Sequence, residues 1–302
     1  MLQIKSLTKR FARNGPPAVD SLDFEVRDGE VMGFVGLNGA GKTTTIRIAA
    51  GIALPTSGTV VVDGHDIVED KVEASRSIGW VPETPNFEPS GRGIDLLRYF
   101  AGFHGIPSSE ADSRSAELLK TMGLSGAERK RFREYSQGMK KRFALAASML
   151  ADPHNYLFDE ILNGLDPEGI HFFRGLVGDL RGRGKAVLLS SHILLEVEGL
   201  ADRVAFIHKG KLIKVVTKSE LSSFESGSVR MVVENIDERL SDRLRGMGEV
   251  RVEGNSVTVS DFKGDRAELN YQLAKEGYRI SDFTVQKSGL EDYFLRLIGE
   301  AR

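Results

Sequence analysis

One short stretch, "GLNGAGKTT" at residues 36–44, constrains the fold of this 302-residue chain more than any other. It matches the pattern G-x-x-x-x-G-K-[ST] with Gly36, Gly41, Lys42 and Thr43. The apolar run "VMGFV" precedes the stretch, and the helical sequence "TTTIRIAAGI" continues from it. A strand, a glycine-rich loop and a helix in this order are the context that the pattern requires. We therefore predict a strand–loop–helix unit whose loop binds a phosphate.

The chemistry of this loop points to a nucleotide. Its glycines let successive backbone N–H groups turn toward a phosphate, and Lys42 adds a positive charge for the β- and γ-phosphates. The hydroxyl of Thr43 is suited to bind magnesium. Kinases, GTPases, motors and transport ATPases all use such a loop, so it does not choose among them. The N-K-x-D segment with which GTPases read the base does not occur in the sequence.

The pattern of apolar residues divides the first two thirds of the chain into three parts. Short alternating runs with two Asp-Gly turns predict strands and hairpins at the start. A helical period from about residue 95 to 150 predicts an inserted helical segment. Buried strands then alternate with helices, which favours a mainly parallel α/β sheet.

The polar, Ser-rich sequence "KSELSSFESGS" indicates a domain boundary. We expect one domain at residues 1–217, a linker at 218–227 and an accessory domain at 228–302. The accessory part follows the order β-α-β-β-α-β, which predicts a small α+β domain of the ferredoxin-like kind.

Composition excludes several classes of function. The chain has 41 Lys and Arg against 43 Asp and Glu, so a net charge of -2 gives no general reason to bind nucleic acid. Without cysteine it forms no disulfide and no thiolate metal site, which is compatible with a reducing cytoplasm. The N-terminus lacks the apolar core of a signal peptide, and no run approaches the roughly 18 apolar residues of a membrane helix. We expect a chain that works in solution or at a surface.

Two apolar strands end in polar residues suited to phosphate chemistry. The strand in "YLFDE" ends in Asp159 and Glu160, and "AVLLSSH" ends in His192. Carboxyl ends of parallel strands line one crevice, so Asp159 should face magnesium beside Thr43. Glu160 is placed to orient or deprotonate an attacking water, and we expect His192 to contact the γ-phosphate.

A second helix start, in "YSQGMKKR" at residues 135–142, also has the character of an anion site. A small polar residue and a glycine precede the apolar-periodic run, so backbone N–H groups are exposed there. We interpret Lys140 and Lys141 as part of a solvated helix face. The chain thus holds two separate phosphate-binding signals.

Taken in order, "GLNGAGKTT", "VPE", "YSQGM", "YLFDE", "NGLDP" and "SSH" resemble the nucleotide-binding subunit of ATP-binding cassette (ABC) transporters over about residues 1–217. The resemblance implies a P-loop NTPase of the ABC type, with an antiparallel β subdomain and a helical subdomain at about 87–150. ATP and Mg²⁺ are the ligands it implies. The ATP-binding residues are then Phe11, stacked on adenine, and the Walker A residues Gly36, Leu37, Asn38, Gly39, Ala40, Gly41, Lys42, Thr43 and Thr44.

The same resemblance implies roles for the other motifs. Asp159 is similar to the Walker B aspartate, Glu160 to the catalytic glutamate, His192 to the switch histidine and Asp166 to the D-loop aspartate. Glu83 stands where the family has the Q-loop glutamine, which places a third carboxylate near the magnesium. We expect the metal to be held by Thr43, Glu83 and Asp159, and catalysis to depend on Lys42, Glu160 and His192.

"YSQGM" resembles the family signature LSGGQ. Ser136 and Gly138 agree with it, whereas Gln137 replaces a glycine and Met139 replaces the glutamine. In this family the signature of one subunit closes over the ATP of another. The resemblance therefore implies a head-to-tail dimer in which Ser136, Gln137 and Gly138 face the partner's ATP. We expect a homodimer, and a heterodimer stays open as the alternative.

The variant signature, Glu83, a single cassette and the C-terminal extension together resemble the branch that exports drugs, peptides, lipids or sodium. The expected function is an ATP-hydrolysing subunit that powers a separate membrane permease through ATP-driven dimerisation. The helical segment would contact the permease, so the protein would lie in the cytoplasm at the inner face of the cell membrane. Two alternatives stay open: a soluble ATPase of the same fold in DNA repair or translation, and a non-hydrolysing regulatory module.

Overall fold

The structure, a computed structural model, describes residues 1–223, 228–260, 262, 264–286 and 290–300. The chain divides into two units, Met1–Thr217 and Lys218–Arg302. Among the described residues, no helix combines the length and the apolar character that crossing a membrane would need.

The first unit contains ten strands, seven α-helices and one 3₁₀ helix among its described residues. In chain order these are β1 (Leu2–Lys9), β2 (Val19–Val26), β3 (Val31–Val35), α1 (Lys42–Ala49), β4 (Ser57–Val62), β5 (His65–Asp66), α2 (Lys71–Arg76), β6 (Ile78–Val81), α3 (Gly93–Phe103), α4 (Ser108–Thr121), the 3₁₀ helix Phe132–Glu134, α5 (Gln137–Ser148), β7 (Asn155–Asp159), α6 (Pro167–Gly182), β8 (Ala186–Ser191), α7 (Leu194–Glu198), β9 (Arg203–His208) and β10 (Lys211–Thr217).

Two sheets organise this unit. One has the order β2-β1-β4-β5 with antiparallel neighbours, as the hairpin signals predict. The other has the order β10-β9-β3-β8-β7-β6, and its strands pair in parallel except for β10 against β9. The predicted α/β class with an antiparallel β subdomain is confirmed. Helix α2 and strand β6 were not predicted from the sequence.

The parallel sheet is buried on both faces, and its strands are therefore nearly continuous runs of apolar residues. In β7, Tyr156 and Phe158 face a core shared with the helical segment, while Leu157 packs into a second core with the antiparallel sheet. Asp159 pairs with Ser190 across β7 and β8. The carboxyl ends of β3, β7 and β8 therefore lie side by side.

The helical segment is held by a cluster of aromatic rings. Phe87 makes edge contacts with Phe100, Phe132 and Phe143, with ring centroids 5.5, 5.2 and 4.9 Å away. This packing joins α3, the 3₁₀ helix and α5 to the loop that follows β6. The expected helical character of the insertion is confirmed, and α3 begins at Gly93.

The second unit consists of α8 (Lys218–Ser223), β11 (Ser228–Val233), α9 (Glu238–Arg245), β12 (Glu249–Glu253), β13 (Ser256–Ser260), α10 (Arg266–Lys275), β14 (Ile280–Gln286) and α11 (Leu290–Glu300). Its sheet has the order β12-β13-β11-β14 with antiparallel neighbours. Asp237 and Asp265 cap α9 and α10. The ferredoxin-like assignment stays a prediction.

The expected linker at 218–227 is partly helical. Its first six residues form α8, and residues 224–227 lie outside the described part of the chain. Ser and Gly content marked this segment as polar, but it did not reveal the helical turn at its start.

Candidate active site

The glycine-rich loop connects β3 to α1 and packs tightly against its surroundings. A Cβ added to Gly36 would lie 2.3 Å from the carbonyl oxygen of Ile207 in β9. Gly41 has φ +110°, and a Cβ there would lie 2.5 Å from the carbonyl oxygen of Ala18. Side chains at these two positions would therefore collide with backbone, so glycine is required for the loop to sit on the sheet.

Lys42 begins α1 and is 5% exposed. Its Nζ donates to the carbonyl oxygens of Gly36 at 2.6 Å and Leu37 at 3.3 Å. The same ammonium lies 3.1 Å from Oε1 of Glu160. The loop thus folds over its own lysine, and the lysine reaches the carboxylate at the end of β7.

Asp159 is joined to two hydroxyl groups. The Oγ1 of Thr43 donates to its Oδ1 at 3.1 Å, and the Oγ of Ser190 donates to the same atom at 2.9 Å. Burial raises the pKa of Asp159, and the nearby charges of Glu160 and Glu83 act in the same direction, while the two hydroxyl groups partly oppose the shift.

These oxygen atoms suit a hard divalent cation. The carboxylate of Asp159 is buried, and burial raises its pKa, so a cation bound beside it would stabilise its ionised form. The hydroxyl of Thr43 lies beside it at the start of α1, and the exposed Glu83 lines the same cavity. The residues present therefore fit Mg²⁺, and the metal site itself stays a prediction.

Glu160 is the most highly connected group of the site. Besides Lys42, its Oε2 lies 2.8 Å from Nδ1 of His192 and accepts from Nδ2 of Asn163 at 3.3 Å. Its backbone N–H donates to Oγ of Ser190 at 3.0 Å. Its φ of +48° lies in the left-handed region, which a residue other than glycine adopts at a cost of order 1–3 kcal/mol. The surrounding contacts hold this carboxylate in a fixed position.

The charge state of Glu160 follows from these contacts. Burial would raise its pKa, but the hydrogen bond with His192 and the charge of Lys42 outweigh burial and lower the pKa overall. Glu160 is therefore an ionised carboxylate at neutral pH, able to accept a proton from water.

One cavity of about 330 Å³ is lined by half of the predicted site residues. Its walls include Asn38, Gly39, Gly41, Lys42, Thr43, Thr44, Glu83, Glu160 and His192. Gly36, Leu37, Ala40 and Asp159 are not among the residues that line it, and Asp159 accepts a hydrogen bond from Thr43 in its wall. The loop, the acidic strand end and the histidine thus meet at one edge of the sheet.

Phe11 lies apart from these walls. Its side chain is 74% exposed, and Nζ of Lys9 lies 5.3 Å from its ring centroid. Its predicted stacking on adenine stays a prediction.

The signature residues face outward at the start of α5. Ser136 is the N-cap of this helix, and its Oγ accepts from the backbone N–H of Met139 at 3.2 Å. Ser136 and Gln137 are exposed, and Gly138 is half-buried. Tyr135 is buried just before them and donates its hydroxyl to the carbonyl of Ala127 at 2.9 Å. The helix start is therefore exposed and does not line this chain's own cavity, and its predicted contact with a partner's ATP stays a prediction.

The interpretation of Lys141 as a solvated residue was wrong. Lys141 is 6% exposed, and its Nζ donates to the carbonyl oxygens of Ile161, at 2.7 Å, and Asn163. It is buried because α5 packs beside the loop that follows β7. Lys140 is half-buried, and its ammonium lies 5.6 Å from the ring centroid of Phe132.

Asp166 ends the loop after β7 and caps α6, because its Oδ1 accepts from the backbone N–H of Gly169 at 2.8 Å. Pro167 follows as the first helical residue, where its missing N–H costs nothing. The structure therefore gives Asp166 a capping role, and its predicted D-loop role stays a prediction.

Sequence reasoning missed two residues of the site, Ser190 and Asn163. Ser190 bridges Asp159 and the backbone of Glu160, and Asn163 bonds the Glu160 carboxylate. The signal for Ser190 was present, since a serine inside the buried strand "AVLLSS" needs a polar partner. Asn163 gave no comparable signal.

Comparisons with known proteins agree with this geometry. The ABC transporter family matches residues 19–163. The chain is 31% identical to the bacitracin transport ATP-binding protein of Enterococcus faecalis, over 99% of this chain and 96% of that protein. It is 33% identical to the Nod factor export ATP-binding protein I of Cupriavidus metallidurans, over 99% and 97% of the two chains.

Solved structures give the same result for the fold. The ATP-binding subunit of an ABC transporter superposes with a TM-score of 0.68 at 28% identity, over 74% of this chain and 92% of that one. A dimeric bacterial ABC transporter cassette, 21% identical, superposes with a TM-score of 0.67 over 72% of this chain and 99% of that one.

Proposed function

The chain belongs to the family of ATP-binding proteins of ABC transporters, and we propose that it hydrolyses ATP at the cavity of Lys42 and Glu160 to power a separate export permease. The observation that carries this proposal is the Glu160 carboxylate, which contacts Lys42 and His192 at the mouth of the phosphate loop. Relatives that match along nearly their whole length are named for bacitracin transport, Nod factor export and daunorubicin resistance. These relatives favour transport over the soluble ATPase alternative.

The residues of the cavity have separate roles in phosphoryl transfer. The backbone N–H groups of residues 36–44 and the ammonium of Lys42 hold the phosphates and stabilise the charge that develops on them. Glu160 accepts the proton of the attacking water. His192, bonded to Glu160, orients that carboxylate and reaches toward the γ-phosphate.

Mg²⁺ would be held by Thr43 and Asp159, with Glu83 at the exposed side. When bound, the ion supplies positive charge that offsets the phosphate oxygens. Ser190 holds Asp159 in place from the neighbouring strand.

A second copy of the chain would complete each ATP site. Ser136 and Gln137 are exposed at a helix start and are not among the residues that line the cavity. A helix N-terminus attracts phosphate, so these residues suit the ATP of another subunit. We therefore place the protein in a head-to-tail homodimer.

The helical segment offers an apolar groove for the permease. A cavity of about 270 Å³ lies between β6, α3 and α5, with Trp80, Phe87 and Phe100 in its walls. Tyr99 and Phe103 are 63% and 71% exposed on the same helix, α3. Exposed apolar surface of this kind marks a protein interface. Through it the protein would lie on the cytoplasmic face of the cell membrane.

The decisive test of the proposed chemistry is Glu160→Gln. The amide keeps the shape of the side chain but does not accept the proton, so steady-state turnover should fall by about 10²–10⁴-fold while ATP is still bound. The variant should accumulate as a dimer with ATP, measured by size-exclusion chromatography. Glu88→Gln, at an exposed carboxylate outside the cavity, is the matched control. Turnover like that of wild type in Glu160→Gln would overturn the assignment.

The permease contact is tested by co-purification with a multi-span membrane protein encoded beside this chain. Phe103→Glu should reduce recovery of the complex by about tenfold, because exposed aromatic residues anchor interfaces. Val72→Glu adds the same charge at another exposed apolar residue, 64% exposed on α2, and it should leave recovery unchanged. Equal recovery with both variants would exclude the exposed aromatic face of α3 as the docking site.

A further inference from the structure

Lys141 is a buried cation that the chemistry proposed above does not use. It is 6% exposed, and its ammonium donates to two backbone carbonyl groups, those of Ile161 and Asn163. Burial lowers its pKa, while the charges of Glu83, Glu196 and Glu160 oppose that shift. A lysine is rarely buried unless its ammonium has such partners.

The two carbonyl groups belong to the loop that carries the carboxylate at the end of β7. Ile161 directly follows Glu160, and Asn163 donates from its side chain to Oε2 of Glu160 at 3.3 Å. The side chain of Ile161 is fully buried and its carbonyl oxygen bonds Lys141, so both its side chain and its backbone are held in place. The ammonium of Lys141 therefore fixes the backbone on which the position of Glu160 depends.

The other end of this connection is the signature. Lys141 lies in α5, five residues after its N-cap Ser136. A helix moves as a rigid element over one or two turns, because its backbone hydrogen bonds link successive turns. A shift of the helix start therefore reaches the Lys141 ammonium and, through it, the loop of Glu160.

We infer that Lys141 is a positioning residue, which links the seating of a phosphate at the signature helix to the placement of the Glu160 carboxylate in the same chain. This inference rests on the roles proposed above for Glu160 and for Ser136. It explains why a cation is buried between α5 and the loop after β7, where an apolar side chain would fill the space but would leave both carbonyl groups without a donor.

The test compares Lys141→Met with Lys141→Arg in the full-length protein. Lys141→Met removes the donors at similar length, so kcat for ATP hydrolysis should fall by about 10- to 100-fold as the carboxylate is misplaced. The KM for ATP should stay within about twofold, because the phosphate loop is unchanged. Lys141→Arg keeps a cation and should recover most of kcat. Lys140→Met is the matched control on the same helix, and it should behave as wild type.

A double variant separates positioning from a general structural defect. If Lys141 acts through Glu160, adding Lys141→Met to Glu160→Gln should produce no further loss of kcat. If the two losses multiply, or if Lys141→Met alone turns over as wild type, the inference is overturned. Wild-type turnover by Glu160→Gln alone would instead overturn the proposed function.

Protein yield and thermal unfolding check that each variant is folded. If Lys141→Met does not fold, Lys141→Gln replaces it, since the amide keeps a donor at shorter reach. Lys141→Gln should lower kcat at constant KM, and an unchanged kcat would count against the inference.

Discussion

The chain has two helix starts suited to phosphate, at residues 36–44 and at 135–142, and the two regions differ in what surrounds them. Lys42 in the first is buried and contacts Glu160, while the strand ends add Asp159 and His192. In the second, Ser136 is exposed and bonds the backbone of its own helix. The same backbone feature therefore has the proposed catalytic groups beside it in the first region, whereas in the second region Ser136 and Gln137 are exposed and do not line the cavity.

This comparison predicts that changes in the first region act on the chain itself, whereas changes in the second act only when two chains meet. The three predictions below are ordered from the largest expected effect to the smallest.

Replacing Lys42 should have the largest effect. Lys42→Ala removes the cation that reaches both the loop carbonyls and Glu160, so kcat for ATP hydrolysis should fall by about 10²–10³-fold. ATP affinity, measured by calorimetry, should fall as well. Lys185→Ala removes another largely buried lysine, which bonds the carbonyl of Asp152, and should retain turnover. If both lysine variants lost turnover to the same extent, the loss could not be assigned to the contacts of Lys42 in the phosphate loop.

Replacing Ser136 should have a smaller effect and one of a different kind. Ser136→Arg fills the exposed helix start, so dimer formation with ATP should fail and turnover should fall about tenfold or more, since a hydrogen bond to a charged group contributes about 1.5–3 kcal/mol. ATP affinity of the monomer should stay unchanged.

The control for this variant is Ser108→Arg, at the exposed first residue of α4. It should keep both turnover and dimer formation. Wild-type turnover and dimer formation in Ser136→Arg would remove the distinction between the two regions.

Glu83→Gln should have the smallest effect of the three. It changes an exposed carboxylate that lines the cavity of the first region. Removing this charge should change the Mg²⁺ concentration for half-maximal turnover by about two- to fivefold, because exposed charges contribute about 0.2–1 kcal/mol. Stimulation by the permease should change with it, if Glu83 senses the metal. Glu88→Gln, which is exposed as well, is the control. The sensor role loses its support if both quantities are the same as in wild type.

The first region could be predicted from the sequence because its residues lie in short, contiguous motifs. Strand ends in a parallel sheet share one edge, so the residues after "YLF" and "LLSS" had to meet the loop after "FVG". The contact between β7 and β8 and the register of Asp159 with Ser190 follow that rule.

The burial of Lys141 could not be predicted, because its partners are set by the packing of α5 against a loop about twenty residues further along. Asn163 bonds Glu160 within that loop, whose conformation no local sequence pattern indicates. Helical periodicity assigns a lysine to the polar face, and it carries no information about backbone carbonyls that a neighbouring loop leaves unpaired. The helix at residues 218–223 was missed for a related reason, since Ser-rich composition predicts polarity rather than conformation.

The close approach of Gly36 to the carbonyl oxygen of Ile207 affects how inherited or engineered variants of this protein should be interpreted. A substitution at Gly36 would push the loop away from β9, so the protein would be lost through misfolding and degradation before nucleotide affinity mattered. A survey that sorts variants by motif would attribute that loss to ATP binding. Protein abundance in the cell, measured beside activity, would separate Gly36, a packing residue inside a binding motif, from Lys42.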